Sequence, residues 1–181
     1  MDLEQALDDV TRSSGGGIAF LIAYGLTLLI AGILAFFLST EAAALVIIFQ
    51  GGVALPLAFM LERVLGFKAM APDNPLRPLS VQLAMTQIVA LPAVIITYQL
   101  NAAYVPAVLA AIAGGHFLPY AWLHRTNLYI VLSVLVSIVP FMMMAIWDEA
   151  AFPYVPLVMA AFYLSMALAL RIIGPAASFR A

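Results

Sequence analysis

Polar residues in this chain fall in short clusters that separate six long apolar stretches. A membrane-spanning helix needs about 20 mostly apolar residues. The stretches at about 16–38, 42–65, 79–100, 104–123, 127–146 and 152–173 each come near or exceed that length. Three of the gaps, 39–41, 101–103 and 147–151, are so short that they force the flanking helices into antiparallel pairs. The longest gap, 66–78, contains Ala71-Pro72-Asp73-Asn74-Pro75, where proline sets φ and the Asx side chains cap local turns. Gly66 follows the last apolar residue of the second span, a common C-cap position. The pattern predicts an all-α membrane protein: one bundle over 15–173, built of six transmembrane helices in three antiparallel hairpins. A segment 1–14 precedes the bundle and a tail 174–181 follows it.

The cations give this pattern a direction. Arg12 precedes the first span, and Arg63, Lys68 and Arg77 lie at or between the facing ends of the second and third. Arg125 separates the fourth and fifth, and Arg171 and Arg180 close the sixth. The other three gaps contain no Lys or Arg. Because basic residues are retained on the cytoplasmic side, the chain is expected to have cytoplasmic N and C termini. Composition removes the soluble alternative: 66% of the 181 residues are hydrophobic and 9% charged, against roughly 45–50% and 25% in soluble domains. A net charge of −2 spread along the chain gives no reason to expect a nucleic-acid partner. The absence of cysteine excludes disulfides and thiolate chemistry.

Segment 1–14 begins with acids (Asp2, Glu4, Asp8, Asp9), unlike the basic start of a secretory leader. Its Leu3, Leu7 and Val10 recur at helical spacing. A short amphipathic helix is therefore expected, lying on the inner membrane surface or docked on the protein. Docking is favoured, because anionic lipid repels acidic helices.

Two spans share the signature Gly-Gly-x-x-Leu-Pro-x-Ala-aromatic: Gly51-Gly52-Val53-Ala54-Leu55-Pro56-Leu57-Ala58-Phe59 and Gly114-Gly115-His116-Phe117-Leu118-Pro119-Tyr120-Ala121-Trp122. Each copy begins mid-membrane, runs inward and ends at a titratable residue followed by arginine (Glu62-Arg63, His124-Arg125). The same offset lays the first span over the third, so hairpins one and two read as parallel repeats about an axis along the membrane normal. Glycine pairs admit a close neighbour, and each proline removes a helix hydrogen bond. Small residues four apart, Ala107/Ala111/Gly115 and Ala161/Ser165/Ala169, are expected to form helix–helix contacts.

His116 is the one acid, base or imidazole deep within a span, and such groups are costly in lipid. Tyr120 follows one turn later on the same face. At similar depth lie Tyr24 and Gln87, with Thr86, Ser133 or Ser137, and Ser165. Two readings compete for this inner-half cluster. In one, His116, Tyr120, Gln87, Tyr24 and Ser165 bind or pass a small solute; in the other, a neutral imidazole only cross-links helices. No catalytic motif, metal-ligand set or cofactor signature is present, and one histidine lacks the three or four donors a metal site needs. An enzyme is not expected.

The stretch 115–123 (Gly-His-Phe-Leu-Pro-Tyr-Ala-Trp-Leu), with the Asp73-Asn74-Pro75-Leu76 turn, resembles an uncharacterised family of small bacterial multi-spanning inner-membrane proteins. The resemblance implies a multi-pass helical bundle in a bacterial inner membrane and transfers no activity. The expectations left standing are small-solute binding or passage, or service as a non-catalytic subunit or scaffold of a larger membrane complex.

Overall fold

The computed structural model describes residues 1–174; the tail beyond Gly174, with Arg180, lies outside the described residues. Among the described residues every regular element is helical. The helices are α1 (Leu3–Ser14), α2 (Ile18–Leu34), α3 (Thr40–Val64), α4 (Arg77–Val89), α5 (Leu91–Leu100), α6 (Val105–Leu123), α7 (Leu128–Trp147) and α8 (Tyr154–Ile173). Taken with their adjoining turns, they make six helical stretches long and apolar enough to cross a membrane.

Local chemistry explains where these helices start and break. Asp2 and Gln5 form a reciprocal capping box at α1, and the Ser39 hydroxyl accepts from the Ala42 amide at α3. The third span is two helices rather than one. Pro92 cannot bond the Ile88 carbonyl, so the ladder is interrupted at Ala90 and α5 begins anew. Helices α3 and α6, by contrast, continue through Pro56 and Pro119.

The broadest pairings are α2 with α8, α6 with α7 and α2 with α3. The first two join helices that a division into three hairpins would keep apart. Gly25 faces Leu164 and Tyr163, and Gly32 faces Leu157, so α2 and α8 run in opposite directions. The Phe20–Phe59 edge contact and the Thr27–Gln50 hydrogen bond (2.6 Å) set the same relation between α2 and α3. One apolar core fills the space among α2, α6, α7 and α8, and a second joins α3, α5 and α6 near the acidic end. Helix α4 buries no residue of its own.

Thr27→Val removes the Thr27–Gln50 cross-link. We expect it to cost about 0.6–1.7 kcal/mol, the span of interhelical hydrogen bonds measured in lipid. Thr27→Ser should hold wild-type stability in a detergent unfolding titration; equal stability of the Val and Ser variants would refute the cross-link.

The small-residue stripes do not behave as expected. Ala111 and Gly115 on α6, and Ala161 and Ser165 on α8, face outward. The close approaches are made instead by Gly114, Gly25 and Gly32. The repeat signature is matched by environment: Leu55 and Leu118, Pro56 and Pro119, and Phe59 and Trp122 are exposed, while Ala58 and Ala121 are buried. The first glycine of each copy meets a neighbouring helix, Gly51 against Tyr24 and Gly114 against α7, and the second meets nothing.

Segment 1–14 docks on the protein. Leu7 and Val10 are buried while Leu3 stays exposed. Asp8 pairs with Arg125. The Asp9 carboxylate accepts from the Ala71 amide (3.0 Å) and the Asn74 amide group (2.8 Å), and Asn74 also donates to the Ala6 carbonyl (3.0 Å). The turn chemistry of 71–75 thus serves as a cradle for α1. At the opposite end, Asp148 accepts from the Tyr104 hydroxyl and Glu149 from Asn101 (2.7 Å). These two acids tie α7 and the turn after it to the start of α6.

Candidate functional site

Helix α6 and its C-cap residue carry His116, Tyr120 and His124 four residues apart, which places them along one face. The His116 and Tyr120 rings lie 5.0 Å apart, and Tyr120 stacks on His124 at 5.6 Å. The ladder continues into α7 through Tyr129, 5.5 Å from His124, and the Tyr129 hydroxyl donates to the Gly16 carbonyl (2.6 Å).

His116 is half-buried against α4. Its Nδ1 lies 3.1 Å from Thr86 Oγ1, and that hydroxyl donates to the Leu83 carbonyl at 2.7 Å. A hydroxyl has one proton. Whether that proton lies toward Leu83 or toward Nδ1 sets the imidazole tautomer, and in either case Nε2 is the ring nitrogen that Thr86 leaves uncommitted. His116 lines an open groove of about 290 Å³ between α4 and α6, with Leu83, Thr86, Ala111, Gly115 and Pro119. Gly115 leaves its wall bare, since a side chain there would meet nothing within 4 Å. Pro119 removes the hydrogen bond that the Gly115 carbonyl would otherwise receive. A larger furrow of about 490 Å³ lies between α6 and α7 at the acidic end; it is mostly apolar and shares Ala111 with the first.

The remaining expected residues divide. Gln87 sits beside Thr86, half-buried and, among the described residues, without a hydrogen-bond partner. Tyr24 is half-buried and packs on the same core as Tyr120, its ring facing Gly51. Ser165 does not join them: α8 turns Tyr163, Met166, Ala167 and Leu170 to the core, which rotates Ser165 outward. Ser133 is engaged elsewhere, donating to the Gly114 carbonyl (2.7 Å). Among the described residues no three His, Asp or Glu side chains gather closely enough to hold a metal ion.

Sequence reasoning passed over His124, which the pattern places at a span end next to water. It is only 3% exposed, because α1 folds back over it and Thr11 Oγ1 comes within 3.5 Å of Nδ1. Loss of hydration pushes its pKa down to about 4. The available signal was its spacing of eight from His116.

Residues 3–172 match a family of unknown function, DUF7010. The chain belongs to that family. The match covers α1 and every member of the His116–Tyr120–His124 ladder, so DUF7010 takes in the docked N-terminal helix as well as the apolar bundle. No curated protein and no solved structure matches the chain.

Proposed function

We propose that the protein is a multi-pass component of the bacterial inner membrane, without enzymatic activity, that binds and passes a small polar solute at the α4–α6 groove. The observation that carries this reading is the state of His116. One ring nitrogen is committed to Thr86, and the other is left uncommitted on a side chain that lines an open groove. A volume of about 290 Å³ lies at the lower limit of pockets that enclose drug-sized ligands, which suits a small molecule rather than a chain or lipid. Tyr120, Gln87 and Tyr24 supply polar groups near the same depth. The six spans read as three hairpins, the first two related as parallel repeats. The one-sided basic residues support cytoplasmic N and C termini, with an aqueous approach from the basic end.

The test is a thermal-shift screen of the detergent-purified protein against small amines, polyols and amides. At least one should raise the melting temperature, His116→Ala should abolish the shift, and Thr86→Val should weaken binding about three- to tenfold, the order of one neutral hydrogen bond. A panel without response, or a His116→Ala variant that binds as wild type does, would defeat the reading.

A second reading rests on α4, which buries no residue, and on the outward-facing small-residue stripes of α6 and α8. Such surfaces suit a subunit or scaffold of a larger membrane complex. Native mass spectrometry from mild detergent separates the two, since a lone monomer would remove the scaffold.

A further inference from the structure

We propose that α1 is a hinged plug, closing the basic end of the His116 groove, that swings on Gly15-Gly16-Gly17 and is held shut by polar anchors. Its purpose rests on the solute reading above; its motion does not.

Three observations converge on it. The first is the hinge. Gly15, Gly16 and Gly17 have φ of +58°, +68° and +86°, a left-handed run that side-chain-bearing residues rarely adopt. It ends α1 and turns it back across the bundle, where a continuous helix would have run straight into α2. Hinges are a few loop or element-terminal residues, often small, that absorb a large backbone change, and this glycine run stands at the end of α1.

The second is the character of the contact. Helix α1 buries only Ala6, Leu7, Val10 and Thr11. The rest of its attachment is the Asp8–Arg125 pair, the Thr11–His124 contact and the Asn74 and Ala71 donors to Ala6 and Asp9. Water can replace each of these polar partners when the helix lifts. It cannot replace the apolar faces that join α2 to α8. An element with few apolar contacts belongs to the low-stability end of a fold, from which lids are drawn.

The third is location. Leu7 and Val10 pack on Leu123, and the same cluster includes Leu83 and Tyr120. Those last two residues flank His116: Leu83 accepts from Thr86 and lines the groove, and Tyr120 lies against the imidazole. Lifting α1 therefore uncovers the side of the cluster that leads to His116 from the basic end. No other described element covers that side as a separate helix on a glycine joint.

The chain has no cysteine, so single thiols report accessibility cleanly. Leu123→Cys places one beneath the plug, Val10→Cys one on it, and Ala110→Cys a control inside the bundle, where Ala110 is fully buried. Labelling by a membrane-impermeant maleimide is compared in anchor-intact protein and in a background carrying Arg125→Gln and Asn74→Ala. The proposal expects the Leu123 and Val10 thiols to react at least tenfold faster in the anchor-loss background, with the Ala110 thiol unchanged. A fast Val10 thiol beside a slow Leu123 thiol means that α1 covers nothing, and overturns the plug. If neither accelerates, the anchors do not hold α1, and the proposal also fails. If the Ala110 thiol accelerates too, the variant has unfolded, and anchor-intact protein decides: the Leu123 thiol must then outpace the Ala110 thiol, and equal rates overturn the idea. No solute enters the experiment, so a failed ligand screen leaves its result standing, and a rigid α1 leaves the screen standing.

Discussion

Gly114→Ala should destabilise the bundle by about 2–4 kcal/mol, and the adjacent Gly115→Ala should be neutral within about 0.5 kcal/mol. A Cβ at Gly114 would stand 1.9 Å from Ser137 Oγ and 2.7 Å from the Ser133 carbonyl oxygen. The hydroxyl can rotate away. The carbonyl cannot, because it is part of the α7 backbone, so α6 and α7 must part along one of the broadest pairings in the protein. Parting also stretches the 2.7 Å bond from Ser133 Oγ to the Gly114 carbonyl. Dispersion falls off steeply with separation, and lipid offers no hydrophobic push to restore the contact. At Gly115 an added methyl meets nothing, and alanine is also the better helix former. Reversible unfolding in mixed micelles measures both, and equal stability of the two variants would refute this account of the α6–α7 contact.

Acidification should loosen α1 while leaving α2–α8 packed. His124 has an ordinary value of 6.5 in water and is held down to about 4 by burial. The groups facing it are Thr11 from α1, Tyr120 from α6 and Tyr129 from α7. None of these is a carboxylate, and the charge of neighbouring Arg125 is taken up by Asp8. With α1 docked His124 stays neutral, and with α1 lifted it is free to take a proton. The undocked form therefore binds more protons between pH 6.5 and about 4. Docking is at full strength above that window and weakens as pH falls through it, by up to about tenfold per pH unit. Between pH 8 and pH 5 the opening equilibrium of α1 should rise by about 30-fold. Amide exchange over residues 3–14, corrected for intrinsic rates, reads that change. His124→Gln, which keeps a polar group beside Thr11, should flatten it; an equally steep profile in that variant would assign the effect to another group.

Much of the architecture is legible in the sequence for a simple reason. Lipid imposes a length and a composition on any helix that crosses it, so apolar runs mark their own boundaries. The helical spacing of Leu3, Leu7 and Val10 likewise announces α1, and the acids beside them argue for docking. The proline break in the third span is the instructive miss. Pro92 and Pro119 look alike in a list of residues, yet α4 and α5 separate at the first while α6 runs through the second. Whether a helix absorbs a proline depends on what packs around it, and α4 is the helix with nothing buried to hold it straight.

The candidate site shows the same division. His116 and Tyr120 are neighbours by helical spacing alone, and intramembrane histidine is conspicuous against so apolar a background. Thr86 was placed at the right depth, but its bond to His116 required the rotation of α4 to be known. Ser165 failed for the matching reason. Depth along a helix can be counted in residues, but the direction a side chain faces follows from which neighbours claim the other faces.

By itself the sequence determined that this is a helical protein with six stretches long and apolar enough to cross a membrane, which ends of those stretches share the cations, and that one histidine falls well inside such a stretch. Those properties follow from transfer of side chains and backbone between water and lipid, which acts residue by residue along the chain. Only the tertiary structure decided that α2 packs against α8, that Gly114 rather than the small-residue stripes brings helices together, and that α1 turns back to bury His124. Those outcomes depend on contacts between residues distant in the chain, 19 positions apart for Gly114 and Ser133 and 113 for Thr11 and His124, whose energies no local pattern contains.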